Sequence, residues 1–406
     1  MHLLPEWYPM YDTLAERLPA LRPAQVGGLT SWVAGSILAG SACESAVVLA
    51  LGEALAADGQ AVAANTLRQS LREWLRDGTD KDAPCASEVA VDACFPQLLA
   101  WLVELLGGEQ LALALDATHY QDRFIALVVS VLYRGRAVPV AWQIRTAQTR
   151  GAWMPVICAL LCGLAPAIPA AHQVLLVADE GLCSPRLYQQ VAALGWQPLL
   201  RGHANTIVTL RHSGRQCNAK QLVPGPGHAT VARVTLNKEP RRQFQATLLV
   251  VWALGEAQPW VLLTTLAPRQ VGVLWYGLRA WIECGFRDLK ALGWQWERTQ
   301  RADPRRVERA WLVLAVATLW VLAAGTRIEE AERQGLPRAL VRPPALPPAA
   351  QTGRRWLSVF QRGLRALVCQ LLRGGLATEL WLVAEAWPEA PASLVICYPD
   401  PDDASP

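Results

Sequence analysis

The segment WYGLRAWIECGFRDLK, residues 275–290, places four polar side chains at intervals of three, four and seven residues. They are Tyr276, Arg279, Glu283 and Lys290. At about 100° per residue, a helix would set all four on one narrow face, which Arg287 would share. Such a set could hold a phosphate group beside a metal ion, with Glu283 on the metal and the other side chains on phosphate oxygens. An ordinary amphipathic helix with a solvated charged face is the alternative.

The apolar residues of this segment predict the buried side of the same helix. They are Leu278, Ile282, Gly285, Phe286 and Leu289. Asp288 is a second carboxylate in the segment, but it lies roughly 140° from Glu283 around the helix axis. We therefore expect Glu283, and not Asp288, to contribute to a site.

A further carboxylate lies inside an apolar strand. In QLALALDATHY (110–120), a period of two puts Asp116 on a face with small residues, while leucines take the other face. An aspartate there adds little to packing, which makes it a candidate ligand. An aspartate of the turn that ends the strand is the alternative. Asp122, a rival, falls in the turn itself.

A third carboxylate ends the run HQVLLVAD (172–179), whose continuous apolar character is typical of a strand buried on both faces. Ligands of open α/β sheets bind at the carboxyl ends of the strands, where Asp179 lies. Glu180 follows directly but would point to the opposite side. A structural aspartate that caps the next turn is the alternative reading of Asp179.

The three carboxylates would meet if the two strands are neighbours and the 275–290 helix packs across them. Oxygen ligands without cysteine or histidine suit Mg²⁺ or Mn²⁺, and not zinc. Two such ions can activate water or a 3′-hydroxyl on one side of a phosphodiester and stabilise the leaving oxygen on the other. The sequence thus favours phosphoryl transfer on a nucleic acid.

The elements around these residues predict an α/β fold with a mixed sheet. Runs that resemble strands and helices follow one another in the order β-β-β-α-β-α-β, at residues 110–120, 125–135, 137–145, 151–164, 172–179, 184–194 and 196–202. Ser184 and Pro185 give the start signal of the second helix. Residues 203–270 look β-rich, and helices resume at 271.

The spacing Tyr-x2-Arg-x3-Glu-x6-Lys resembles, without gaps, the signature of DDE-class cut-and-paste insertion-sequence transposases, family four. The stretches LALDATH and LLVADEGLCSPRLYQQVAALGWQPLLRG resemble the two aspartate regions of that family. The resemblance covers roughly residues 105–325 and implies an RNase H-like catalytic core. It also implies the roles of six residues: a metal triad of Asp116, Asp179 and Glu283, and phosphate-binding companions Tyr276, Arg279 and Lys290.

The resemblance also implies a reaction and its partners. Mg²⁺, for which Mn²⁺ can substitute, would act as two ions in nicking DNA at the element's ends and joining the 3′-OH to target DNA, through a hairpin intermediate in this family. The expected partners are the terminal inverted repeats and target DNA, bound by a homodimer. Trp252 and Trp260, in the β-rich insertion, are candidates to stack on an extruded base. Arg201 is a candidate DNA contact, although RGHAN (201–205) also reads as a plain polar turn.

The predicted organisation has five parts. They are a helical DNA-binding region (1–104), the first part of the RNase H-like core (105–202), the β-rich insertion (203–270), the C-terminal helices of the core (271–330), and a Pro-rich linker with a C-terminal helical region (331–406). We predict the last helical segment at 353–388. In the first part, the basic helical edge of Arg68, Arg72 and Arg76 could lie on DNA or be solvated.

Composition sets the broad class of the protein. With 406 residues, 52% apolar and only 18% charged, the chain can build a large core and is not disordered. The net charge is +4, but residues 201–242 carry eight Lys or Arg against one acid, and a second basic run spans 298–309. This local charge suits a polyanionic partner, and solvated loops are the alternative.

Cysteine usage and hydropathy bear on the compartment. The ten cysteines show no zinc or disulfide spacing, and the N-terminus has no signal-peptide pattern, so we expect a cytoplasmic protein that joins the bacterial nucleoid when bound to DNA. Residues 310–325 are uncharged, but these 16 residues fall short of the roughly 18–20 that a membrane span needs. We predict a buried core helix and no membrane.

Three other functions remain open from the sequence. A nuclease of the same fold would cut DNA without joining it. A DNA-binding protein derived from a transposase could be catalytically dead, although the complete set of carboxylates and cations counts against this. A membrane-associated protein rests only on residues 310–325.

Overall fold

Leucine-rich strands form the central sheet in a computed structural model that describes residues 3–81, 87–236, 243–338, 340–342, 356–373 and 379–400. Its first five strands are β1 (Gln110–Tyr120), β2 (Phe124–Tyr133), β3 (Arg136–Thr146), β4 (Gln173–Ala178) and β5 (Gln197–Gly202). They lie in the order β3-β2-β1-β4-β5. β2 is antiparallel to β1 and β3, while β4 and β5 run parallel to β1. The predicted mixed α/β fold is confirmed, and this arrangement is consistent with an RNase H-like core.

Ten helices surround the sheet within the described residues. They are α1 (Tyr8–Arg17), α2 (Pro23–Ala39), α3 (Glu44–Ala57), α4 (Ala64–Leu75), α5 (Val91–Leu106), α6 (Met154–Leu164), α7 (Pro185–Ala193), α8 (Ala280–Leu289), α9 (Pro304–Gln334) and α10 (Val359–Leu372). The first residues of α7 behave as predicted, because the Ser184 hydroxyl accepts a hydrogen bond from the Leu187 amide at 3.2 Å. The predicted β-β-β-α-β-α-β order is also confirmed.

Residues 203–270 continue the same sheet beyond β5. They supply β6 (Ile207–Leu210), β7 (Gln216–Asn218), β8 (His228–Leu236), β9 (Phe244–Trp252) and β10 (Trp260–Thr264). β10 pairs antiparallel with β5, and the order continues β10-β9-β8-β6-β7. The predicted β-rich character is therefore confirmed, while the division of the chain into domains stays a prediction. Residues 237–242, between β8 and β9, lie outside the described residues.

Helix α9 forms much of the core. Its length and hydropathy would allow it to cross a membrane, as would the pair α2 and α3 if their 93° bend is ignored. However, 89% of the most apolar window of α9 is buried inside the protein. Residues 310–325 therefore lie in a buried core helix, as predicted.

Two of the basic segments predicted as possible DNA contacts have side chains that bind within the protein. Arg301 lies over the ring of Trp32, with 5.4 Å between the guanidinium carbon and the ring centroid. The buried Arg309 donates to the Leu75 carbonyl oxygen at 2.6 Å, so the 298–309 run holds the N-terminal helices onto α9. The basic edge along α4 is also ion-paired: Arg68 and Arg72 bind Glu44, and Arg76, directly after the helix, binds Glu73.

The C-terminal region is less helical than predicted. Helix α10 ends at Leu372, and residues 379–394 form neither helix nor strand, so the helix predicted across 353–388 is wrong for 379–388. The backbone of this segment instead bonds to side chains of the β2–β3 hairpin. The amide of Val383 donates to the Tyr133 hydroxyl, and its carbonyl accepts from Arg134, both at 3.0 Å. β11 (Val395–Cys397) then pairs with β8. Most of the Pro-rich linker, residues 343–355, lies outside the described residues.

Helix α8 lies across β1, β2 and β3, with its predicted apolar stripe buried. Gly285 allows this close approach. A Cβ atom at Gly285 would lie 2.8 Å from the Ala137 Cβ and 3.0 Å from the Ala137 carbonyl oxygen. Because such distances are shorter than van der Waals contact, any side chain at position 285 would push α8 away from β3.

We predict that Gly285→Ala lowers the free energy of unfolding by about 1–3 kcal/mol, because overpacking forces the helix and strand apart. Gly277→Ala is the matched control, since an added Cβ there has no atom within 4 Å. Urea denaturation of both variants checks the prediction. Equal stability of the two variants would show that α8 does not depend on this close packing.

Candidate active site

Parallel pairing brings the two predicted aspartates to one edge of the sheet. Leu115 of β1 pairs with Ala178 of β4, so Asp116 and Asp179 are the next residues along two neighbouring parallel strands. The Asp116 carboxylate accepts a hydrogen bond from the Ala117 amide, at 2.8 Å. That of Asp179 accepts one from the Glu180 amide, at 2.7 Å. The pairing of β1 with β4 thus places Asp116 and Asp179 next to each other.

The segment 275–290 is not one continuous helix. Residues Trp275–Arg279 form a 3₁₀ turn, α8 begins at Ala280, and Lys290 follows the end of α8. A 3₁₀ turn has three residues per turn, so Tyr276 and Arg279 lie one above the other. Both side chains face the sheet edge, where Tyr276 is buried, so the alternative of a solvated charged face is wrong for them.

Arg279 contacts all three predicted metal ligands. Its Nη2 atom lies 2.6 Å from Asp116 Oδ2 and 3.3 Å from Asp179 Oδ2. Its Nη1 atom lies 2.9 Å from Glu283 Oε1. The four residues come from β1, the end of β4, the 3₁₀ turn and α8, so the structure brings together the carboxylates that are distant in the sequence.

Burial and charge oppose each other in this cluster. Burial raises the pKa of Asp116, and the Arg279 guanidinium partly opposes that rise. Burial also lowers the pKa of Arg279, but its three carboxylate neighbours outweigh burial and raise it. Arg279 therefore remains a cation that compensates the carboxylates around it.

Tyr276 lies on the other side of Asp179. Its hydroxyl donates to Asp179 Oδ1 at 3.3 Å. Burial raises the pKa of Tyr276, and the nearby charge of Asp179 adds to this rise, so the hydroxyl keeps its proton and acts as a donor. The ring of Trp260 meets the Tyr276 ring edge to face, with 5.4 Å between centroids.

The Lys290 ammonium group binds residues of β1 and not the carboxylates of the cluster. Its ammonium group donates to Thr118 Oγ1 at 2.8 Å and to the His119 carbonyl oxygen at 3.0 Å. Burial lowers the pKa of Lys290, and the charges of Glu297 and Glu283 partly oppose this. Lys290 thus joins the end of α8 to β1, two residues beyond the predicted ligand of that strand.

The remaining predicted residues differ in their distance from the cluster. Arg201 follows Leu200, which pairs with Ala178, so it lies at the same sheet edge as the aspartates, and its charge lowers the pKa of Tyr276. Arg287 is exposed on α8. Trp252 donates through its indole nitrogen to the Glu256 carbonyl oxygen, within the β9–β10 turn, at 2.9 Å.

Sequence reasoning missed a contact beside the cluster. The Glu180 carboxylate contacts the ring of His203, across the loops that follow β4 and β5. A cavity of about 440 Å³ opens next to this pair, with Tyr188 and Phe244 among its lining residues. The cavity is lined from β5, β9 and β10, which lies between them, so the sequence could have indicated it only if this strand order had been known.

The carboxylate cluster is suited by its donor atoms to a divalent metal ion. Within the described part of the chain, no three His, Cys, Asp or Glu side chains are already arranged around a point where an ion could sit. Even so, Asp116 Oδ2 and Asp179 Oδ2 both reach the same Arg279 nitrogen, so the two oxygens already converge on one cation. The donor set consists of carboxylate oxygens, which hard divalent cations prefer. The residues therefore fit such an ion once the guanidinium leaves.

Residues 117–320, half of the chain, match the family described as Transposase DDE domain. The chain belongs to this family of DDE transposases. The matched region begins one residue after Asp116 and includes Asp179 and Glu283. No curated protein sequence matches the chain.

Among solved structures, the chain resembles the cryo-EM structure of a piggyBac transposase synaptic complex with hairpin DNA. The TM-score is 0.34 at 10% sequence identity, and the similarity covers 76% of this chain and 59% of the other. The chain therefore spans less than two thirds of the length of that protein, and a similarity this low assigns no residue roles.

Asp288, the carboxylate excluded from the site, lies on the opposite side of α8. Its Oδ2 atom is 3.5 Å from the Arg136 Nε atom, and the side chain is buried. Burial raises the pKa of Asp288 to about 7, against the opposing charges of Arg136 and Arg287. The exclusion of Asp288 from the metal cluster agrees with this position.

We predict that Asp288 makes folding stability depend on pH. Its pKa in the folded state, about 7, exceeds the value of about 3.9 for an unfolded aspartate. The folded state binds more protons between these values, so this contribution to the free energy of unfolding falls as pH rises from about 4 to about 7. The free energy of unfolding of Asp288→Asn, relative to that of the native protein, should therefore be higher at pH 8 than at pH 4.

Chemical denaturation across this pH range measures the effect. Asp122→Asn, which removes an exposed carboxylate in the β1–β2 turn, is the control. Identical pH profiles for the native protein and Asp288→Asn would contradict the prediction.

Proposed function

We propose that this transposase cuts DNA at the ends of its element and joins the freed 3′-OH ends to target DNA. The observation that carries the proposal is the convergence of Asp116, Asp179 and Glu283 on one cation at the edge of the sheet. Two of these carboxylates lie within the region that matches the DDE family. Their oxygen donors support Mg²⁺ as the metal, with Mn²⁺ as a substitute.

Asp116 and Asp179 would hold a divalent ion between neighbouring strands, and Glu283 would bind from α8. When bound, two such ions supply Lewis-acid activation of water or a 3′-hydroxyl and stabilisation of the leaving oxygen. The strand register fixes the two aspartates, and the α8–β3 packing fixes the distance of Glu283. The proposed ligands thus come from elements whose relative positions are set by strand pairing and helix packing.

The surrounding donors would hold and orient the DNA backbone. Arg279 has a planar fork of N–H groups that matches the oxygens of a phosphate. Tyr276 adds a protonated hydroxyl, and Arg201 adds a positive charge at the same edge. Lys290 fixes the end of α8 against β1, so its role here is to position Glu283 and Arg279. Arg287, exposed on α8, would contact DNA farther from the metals.

An aromatic residue beside this edge would stabilise a distorted DNA end. Trp260 packs against Tyr276, which in turn bonds Asp179, so its ring lies near the proposed reaction centre. Stacking of a base on such a ring contributes about 1–3 kcal/mol to single-strand binding. Trp252 is bound within its own turn and is the weaker candidate.

The proposal extends to the transposase family, the oligomeric state and the compartment of the protein. The uninterrupted Tyr-x2-Arg-x3-Glu-x6-Lys spacing supports membership of insertion-sequence family four. Pairing of two element ends supports a homodimer on double-stranded DNA. The cysteine pattern supports action in the cytoplasm, on the bacterial nucleoid.

The proposal predicts that Glu283→Gln abolishes metal-dependent cutting and joining. The experiment incubates protein with Mn²⁺ and DNA that carries the repeats flanking its own coding region. Loss of one metal-binding oxygen should lower the rate about a hundredfold or more, since metal ions contribute several kcal/mol of charge stabilisation. Glu332→Gln is the control, because Glu332 pairs with Arg362 on the distant end of α9.

Each outcome has a distinct meaning. Joined products from the native protein and from Glu332→Gln, but not from Glu283→Gln, would support transposition by this site. Equal products from all three proteins would contradict the assignment of the triad. Cut but unjoined DNA would identify a nuclease instead.

A further inference from the structure

Arg279 holds the position that a metal ion would need. One guanidinium nitrogen lies within 3.3 Å of carboxylate oxygens from both aspartates, and the other lies 2.9 Å from Glu283. A divalent ion bound by Asp116 and Asp179 would require the same oxygens. The guanidinium and the ion therefore compete for one set of ligands.

We infer that Arg279 is an internal counter-ion that blocks metal binding in the DNA-free protein and is drawn away by a DNA phosphate. The inference rests on the proposed function, because it takes the three carboxylates as the metal ligands. It adds a regulation of that site: the metal enters readily only when DNA is present.

The charge of the cluster supports this exchange. The three carboxylates exceed the single positive charge of Arg279, so the DNA-free cluster keeps a negative charge that attracts cations. Two divalent ions together with Arg279 would instead leave an excess of positive charge in a partly buried site, which is unfavourable without a compensating anion. A phosphate that binds Arg279 would provide this anion at the moment when the ions enter.

The contacts of Arg279 also leave it free to change partners. Its guanidinium is held only by carboxylates at its two terminal nitrogens, and within the described residues its buried Nε atom has no hydrogen-bond partner. Only 19% of the side chain is exposed. A phosphate oxygen would satisfy the Nε–H group together with one terminal nitrogen, which the carboxylates do not do in the present arrangement.

The inference predicts a coupling between metal and DNA binding. Coupling between two sites commonly changes affinity by roughly 5- to 150-fold, and it must be reciprocal. We expect a pre-cut DNA end to raise the affinity for Mn²⁺ about tenfold or more. Mn²⁺ should raise the affinity for the DNA end by the same factor.

The test measures free Mn²⁺ by electron paramagnetic resonance during titration of the full-length protein. The probe DNA is a duplex that ends at the repeat flanking the coding region and is already cut, so no cleavage accompanies binding. Arg279→Gln should bind Mn²⁺ about tenfold or more tightly without DNA, and adding DNA should then change this affinity little. Arg362→Gln removes the same charge from α10, where Arg362 pairs with Glu332 away from the cluster, and should retain the native coupling.

Two further measurements separate failure of the inference from failure of the proposed function. Asp116→Asn should weaken Mn²⁺ binding with and without DNA. If it does, but native protein binds Mn²⁺ equally well in both conditions, the carboxylates are ligands and the counter-ion role is wrong. If neither the native protein nor any variant binds Mn²⁺, the proposed function itself fails. The native titration needs no substitution, so an unstable Arg279→Gln protein would still leave the inference testable.

Discussion

The ion pairs of Arg279 with Asp116, Asp179 and Glu283 are the interaction on which the site depends. Three carboxylates within reach of one another repel, and burial makes this repulsion stronger. The structure tolerates them because a cation that belongs to the chain stands between them. The same requirement explains the surrounding architecture. Parallel pairing of β1 with β4 places the aspartates together, and Gly285 brings α8 close enough for Arg279 and Glu283 to complete the cluster.

Several other charged side chains hold separate parts of the protein against one another. Arg301 and Arg309 fasten the N-terminal helices to α9 through Trp32 and the Leu75 carbonyl, and Arg134 receives the C-terminal segment at the β2–β3 hairpin. The basic segment 298–309 is therefore a poor guide to a DNA surface in this protein. Positive charge near the carboxylate cluster comes instead from Arg279, which pairs with the carboxylates, and from Lys290, which binds β1.

Much of the site was predictable because its signals are local. Period-two alternation placed Asp116 in a strand, and an uninterrupted apolar run placed Asp179 at a strand end. The 3₁₀ turn before α8 was not predictable, because its apolar and polar spacing also fits an α-helix. The attachment of Lys290 to Thr118, and the extended course of residues 379–394, depend on partners distant in sequence. Periodicity carries no information about such partners.

The account's central claim is that the carboxylates of this cluster bind the metal ions of the reaction. Replacement of a ligand by a thiolate tests it most directly, because a softer sulfur ligand accepts transition metals and disfavours Mg²⁺. The measurement is the rate at which Asp116→Cys cuts DNA that carries the element's ends, with Mg²⁺ and with Mn²⁺. If the carboxylates bind the metal ions, Asp116→Cys should not cut with Mg²⁺ but should cut with Mn²⁺. Its ratio of the cutting rate with Mn²⁺ to that with Mg²⁺ should be far above the ratio of the native protein. The same ratio in both proteins would contradict it.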